Sequence, residues 1–103
     1  MDIKWNGEAE EEFLQLPNHI QEKLRSYIER LSEKGLEWDK VELIEREDIG
    51  LEVYRIKIMD GNGEELNHRV IFDIEDQSYV IYKVGSRRGF YSEENLREVE
   101  DRI

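Results

Sequence analysis

The sequence predicts a two-layer α+β domain: a small, mainly antiparallel sheet with a helical hairpin on one face, the other face open, and a C-terminal helix beside it. Three observations predict it. Three apolar-patterned runs, Leu51 to Met59, Leu66 to Ile74 and Tyr79 to Val84, follow one another across short breaks rich in turn residues. Residues of one parity in a strand share a face, so such runs read as neighbouring half-buried strands. Upstream, Ile20, Leu24, Ile28 and Leu31 recur at helical spacing, the mark of a helix lying across a core. Finally, 103 residues supply one modest core and not two, so residues 1–103 form a single domain.

Taken in order, Asp2 to Trp5 is a short candidate strand with Ile3 and Trp5 of one parity. Glu8 to Leu16 reads as a helix whose acidic first turn suits the positive end of the helix dipole, with Phe13 and Leu16 facing inward. Pro17 ends that helix and opens the next, which runs from Asn18 to Lys34 and stops at Gly35. Tyr27 beside the apolar stripe is a packing residue. Val41 to Glu45 is either a short edge strand or an extended connection, with Trp38 and Leu43 against the core. Asp60-Gly61-Asn62-Gly63 and Asp76-Gln77-Ser78 are turns that make the three strands a meander. Ser92 caps a last helix that carries Leu96, Val99 and Ile103 on one side.

Composition excludes several chemistries. There is no cysteine, hence no disulfide framework, thiolate nucleophile or sulfur-bound zinc. Two distant histidines without a patterned carboxylate cluster predict no metal and no cofactor. No apolar signal region opens the chain and no run approaches the ~20 residues that span a bilayer. A cytoplasmic protein that engages no membrane is expected.

The net charge of −11 argues against a nucleic-acid binder, yet its distribution reverses that inference. Residues 1–50 hold fourteen acidic and seven basic side chains, residues 51–91 seven and six, and residues 92–103 five and two. Strict alternation places Arg55, Lys57, Arg69 and Lys83 on the sheet face opposite the core. Gly85-Ser86-Arg87-Arg88-Gly89-Phe90-Tyr91 leaves the last strand beside them. The plainer reading is a solvated face in which Arg69 pairs with Asp73, and Lys83 with Asp73 or Glu52. His68, of core parity, is read as structural.

In this order, the helical pair joined at Leu16-Pro17, Tyr54-Arg55-Ile56-Lys57, Asn67-His68-Arg69-Val70-Ile71-Phe72, Val84-Gly85-Ser86-Arg87-Arg88 and Phe90-Tyr91 resemble the RelE/ParE superfamily of toxin-antitoxin proteins. The resemblance spans nearly the whole chain. It implies a RelE-like fold with the first strand beside the last, a cognate antitoxin as partner, and ribosome-bound mRNA as the substrate of a metal-independent endoribonuclease. By the same resemblance Arg55 and Lys57 match the basic pair of one strand, Arg69 the arginine of the next, Arg87 the arginine past the last strand, and Tyr91 the tyrosine closing the site. Ser86 stands where many members have histidine, His68 replaces a tyrosine, and the chain is acidic where toxins are usually basic.

Cleaving RNA through its own 2′-hydroxyl, which yields a 2′,3′-cyclic phosphate, needs a proton acceptor, a proton donor for the departing 5′-oxygen, and cations on the phosphate. The arginine fork meets phosphate oxygens in pairs, so Arg69 and Arg87 take that task. Lys57 or Tyr91 moves protons; such side chains titrate near pH 10 alone, and neighbouring cations favour proton loss. Arg55, Lys83 and Arg88 position the RNA backbone. The alternative is a RelE/ParE-fold binding protein without nuclease activity, either a gyrase inhibitor or a partner-binding domain.

Overall fold

Among the described residues, five strands and three helices build the observed architecture. The computed structural model describes residues 1–59, 65–86 and 92–103. In chain order the elements are β1 (Asp2–Trp5), α1 (Gly7–Leu14), α2 (Asn18–Lys34), β2 (Val41–Arg46), β3 (Leu51–Met59), β4 (Glu65–Glu75), β5 (Ser78–Ser86) and α3 (Glu93–Arg102), with short 3-10 turns at Gly35–Glu37 and Glu47–Ile49. The sheet order is β1-β5-β4-β3-β2. β1 runs parallel to β5, and the other pairs are antiparallel. Val41–Arg46 is thus an edge strand, and β1 stands beside the last strand as the resemblance implied.

Local chemistry explains the helix ends. The Asn6 side chain accepts from the Glu8 and Ala9 amides at 3.0 and 3.2 Å, satisfying two donors that α1 cannot. α1 ends at Leu14, two residues short of the expected Leu16. Its terminal carbonyls are met from the next helix, where Gln21 Nε2 donates to the Leu14 and Leu16 carbonyls at 3.1 and 2.8 Å. Pro17 precedes α2, and its carbonyl accepts from the Ile20 and Gln21 amides. Gly35 ends α2 with φ +70°, a conformation that disfavours a side chain. Ser92 caps α3 through the Asn95 amide at 3.3 Å.

The first face of the sheet carries Ile56, Ile58, Val70, Phe72, Tyr79, Ile81 and Val84, packed under Phe13 of α1 and Leu24, Tyr27, Ile28 and Leu31 of α2. Phe72 is fully buried, stacked on Tyr54 at 5.5 Å and edge-on to Tyr79 at 5.7 Å. Tyr27 does more than pack. Its hydroxyl accepts from the Met59 amide at 3.2 Å and donates to the Met59 carbonyl at 3.3 Å, where the β3–β4 register shifts between Lys57 and Met59. At the β4–β5 turn, Asp76 and Gln77 both take positive φ, the twist-matched geometry of a two-residue hairpin loop. The turn expected at Asp60-Gly61-Asn62-Gly63 lies outside the described residues.

The second face is not open. Leu96 and Val99 of α3 are fully buried against Ile49, Leu51, Val53, Ile71, Val80 and Tyr82, a second apolar cluster. The physical reason is an irregularity that strict alternation misses. Ile71 opposes Lys83 while Phe72 opposes Ile81, which leaves Tyr82 as an extra residue, a bulge. Tyr79 and Ile81, expected on the face of Lys83, therefore join the first core, whereas Val80 and Tyr82 turn to the second and give α3 an apolar floor.

Phe72→Ala is expected to cost about 3–5 kcal/mol, a large share of the roughly 5–15 kcal/mol that stabilises a domain of this kind. Leu14→Ala, at a position 60% exposed, should stay within about 0.5 kcal/mol. Urea denaturation of both variants checks the contrast.

Candidate functional site

The candidate cations of β3, β4 and β5 lie on two adjacent cross-strand rows of the second face. Residues directly opposite in antiparallel strands point the same way. One row reads Glu42, Arg55, Ile71, Lys83, and the next reads Lys57, Arg69, Gly85. Lys83 reaches its row through the Tyr82 bulge. The sheet thus gathers Arg55, Lys57, Arg69 and Lys83 on one side, as alternation predicted. Arg87, Arg88 and Tyr91 lie outside the described residues.

The four cations are not equally accessible. Arg69 is 1% exposed, and its Nη1 donates to the His68 carbonyl at 2.9 Å. Lys57, its cross-strand neighbour, is at the surface. Arg55 and Lys57 share one carboxylate oxygen: Glu42 Oε2 lies 3.2 Å from Arg55 Nε, 2.7 Å from Arg55 Nη2 and 3.1 Å from Lys57 Nζ. The hydrogen bond from Arg55, then that from Lys57, holds the Glu42 carboxyl below its ordinary pKa of 4.5. Lys83 meets Glu12 at 3.3 Å and Glu98 at 3.6 Å, carboxylates of α1 and α3 rather than the expected Asp73 or Glu52.

Lys83 is one member of a larger cluster centred on Arg102, whose side chain is 5% exposed. The Arg102 guanidinium binds Glu8 at 3.0 Å, Glu12 at 2.9 Å and Glu98 at 2.6 Å, and donates to the Tyr82 carbonyl at 2.8 Å. Glu12 in turn accepts from the Val84 amide at 3.3 Å. Burial pushes the Glu12 carboxyl up, but the Arg102 hydrogen bond, the Lys83 charge and the Val84 amide outweigh it, leaving the pKa lowered. This arrangement closes the edge of β5 beyond β1, which pairs only as far as Ile81.

Two other titratable groups sit nearby. Burial, then a hydrogen bond to Glu75, pushes the Tyr82 hydroxyl up to about 12, so Tyr82 is a neutral donor rather than a proton shuttle at working pH. Burial and the Arg69 charge lower the His68 pKa, and its Nδ1 is buried without a hydrogen-bond partner among the described residues. His68 lies on the α-helical side of β4, the face of Val70 and Phe72. Among the described residues no group of three His, Asp or Glu side chains is placed to hold a metal, and no helix is long and apolar enough to cross a membrane.

Sequence reading missed Glu42, Glu12 and Arg102. Arg102 carried one legible sign, its place four residues after Glu98. Glu42 needed the β2–β3 register, and Glu12 needed the tertiary fold.

No family model matches the sequence, and no curated protein matches it. Solved structures do. A mutant of the E. coli toxin RelE in its free state superposes with a TM-score of 0.68 at 16% identity, covering 99% of this chain and 96% of that one. The archaeal RelE–RelB complex from Pyrococcus horikoshii gives 0.62 at 18% identity, covering 84% and 93%. The RelB–RelE antitoxin–toxin complex from Methanococcus jannaschii gives 0.58 at 17%, covering 85% and 94%. The fold is therefore RelE-like over nearly its full length.

Because Glu12 binds its proton less tightly when folded, its pairing stabilises the protein above about pH 4.5 and is lost as pH falls through the lowered value. Arg102→Met is expected to cost about 2–4 kcal/mol at pH 7, since a half-buried carboxylate and a backbone carbonyl lose their partner. The gap to the wild type should narrow as pH drops below about 4.5. Thermal unfolding at pH 7 and at lower pH checks both.

Proposed function

We propose that this chain is the toxin of a toxin-antitoxin pair, an endoribonuclease that cuts mRNA on the ribosome without a metal. The observation that carries the reading is the pair of cationic rows on one face of a RelE-like sheet. In this reading the message's 2′-oxygen attacks the adjacent phosphorus, the 5′-oxygen leaves, and a 2′,3′-cyclic phosphate remains. Lys57 is the surface cation of its row and moves a proton at the reacting phosphate, while buried Arg69 beside it supplies fixed positive charge as negative charge builds up. Arg87 and Tyr91, which follow Ser86 in the chain, complete the site, and Arg55, Lys83 and Arg88 guide the RNA backbone. The antitoxin is the expected partner, because two of the similar structures are RelE–RelB complexes.

A second reading is a RelE-fold binding protein without nuclease activity, a gyrase inhibitor or a partner-binding domain. It is favoured by one observation: Arg55, Lys57 and Lys83 are each engaged by carboxylates of their own chain.

With translating ribosomes, the wild-type chain should cut the message equally well with and without EDTA. Lys57→Ala should slow cutting by about 10²- to 10⁴-fold with an unchanged circular dichroism spectrum. An intact message, together with loss of DNA supercoiling by gyrase when the protein is added, would instead establish the second reading.

A further inference from the structure

One carboxylate oxygen sits at the focus of three nitrogen donors on the candidate RNA face. Glu42 Oε2 is held by Arg55 Nε, Arg55 Nη2 and Lys57 Nζ, all within 3.2 Å. This is the donor set that an RNA phosphate oxygen would use, because a guanidinium fork and an ammonium meet carboxylate and phosphate oxygens with the same geometry. Glu42 is exposed and faces Arg55 directly across β2 and β3, so the contact is fixed by register and yet reachable from solvent. A groove of about 290 Å³, lined by Glu42, Leu43, Ile44, Glu45, Arg46, Arg55 and Leu96, opens beside it.

We infer that Glu42 is an internal phosphate surrogate: its carboxylate occupies the anion position of the Arg55–Lys57 pair, and an RNA phosphate binds there only by displacing it. The inference rests on the RNA-binding reading above and deepens it by assigning a competitor to that site. Its physical consequence is selective. A single weak phosphate contact does not dislodge a carboxylate held by three donors, whereas a strand anchored at neighbouring cations does, since each further contact adds to the release of counterions. Glu42 thereby screens out free phosphate and lone nucleotides while admitting polynucleotide. The same competition accounts for an acidic protein keeping cations on a surface without binding every polyanion it meets.

The test compares the wild-type chain with Glu42→Gln and with Glu33→Gln, which removes one exposed charge from α2, the helix that covers the first face. Binding of a short single-stranded oligouridylate is measured across a salt series. Glu42→Gln should bind about five- to tenfold more tightly at each salt concentration, with a log–log slope like that of the wild type, because Arg55 and Lys57 meet phosphates in both complexes and only the wild type must first break the Glu42 pairs. Inorganic phosphate should compete with the RNA on Glu42→Gln and much less on the wild type, and Glu33→Gln should behave as the wild type. Equal affinities for the two variants would overturn the inference, even if the wild type cuts messages. Tighter binding by Glu42→Gln from a protein that cuts nothing would uphold this site and reject the nuclease reading.

Discussion

The edge of β5 is the constraint on which the rest of the structure turns. β5 has nine residues and its neighbour β1 only four, so the sheet runs out of partner strand at Ile81 while β5 continues. Backbone groups left over at a buried edge are costly, and here side chains take the place of a strand. Arg102 donates to the Tyr82 carbonyl, Glu12 accepts from the Val84 amide, and the two side chains bind each other. Residues ninety positions apart are thereby fixed to one strand. Because Arg102 is the last residue of α3, the same closure holds that helix across the second face.

From that placement follows the division of the second face into two parts. Leu96 and Val99 seal its apolar part, which the Tyr82 bulge supplies, and Lys83 is caught beneath the helix between Glu12 and Glu98. Of the four strand cations Arg55, Lys57, Arg69 and Lys83, it is Arg55 and Lys57 that stand nearer the surface, bordered by Glu42. Surface ion pairs of this kind contribute little stability, on the order of 0–1 kcal/mol. In the proposed reading their importance is selective, since they set what an incoming anion must displace. Buried Arg69 behaves differently, since a fixed charge in a low-dielectric setting acts on its surroundings without being exchanged.

The acidic surplus looks less paradoxical in this frame. Much of it lies on α1, α2 and α3, and part of it is recruited inward, with Glu8, Glu12 and Glu98 converging on Arg102. A net charge of −11 therefore coexists with a local concentration of cations.

The sequence alone determined the meander, the α2 stripe, the caps at Gly35 and Ser92 and the shared face of Arg55, Lys57 and Arg69, because these depend on spacing along the chain, which periodicity records directly. It left Val41–Arg46 undecided between strand and connection, since an edge strand with mixed burial has no clean alternation. Tertiary structure decided the faces of Tyr79 to Lys83, which one extra residue reassigned, and the cover that α3 lays over the second face. It also decided the partners of the cations: Glu42 by strand register, Glu12 by the packing of a helix seventy residues away from Lys83. Charge pairing between segments distant in sequence leaves no period to read, and only the folded chain brings those carboxylates within reach.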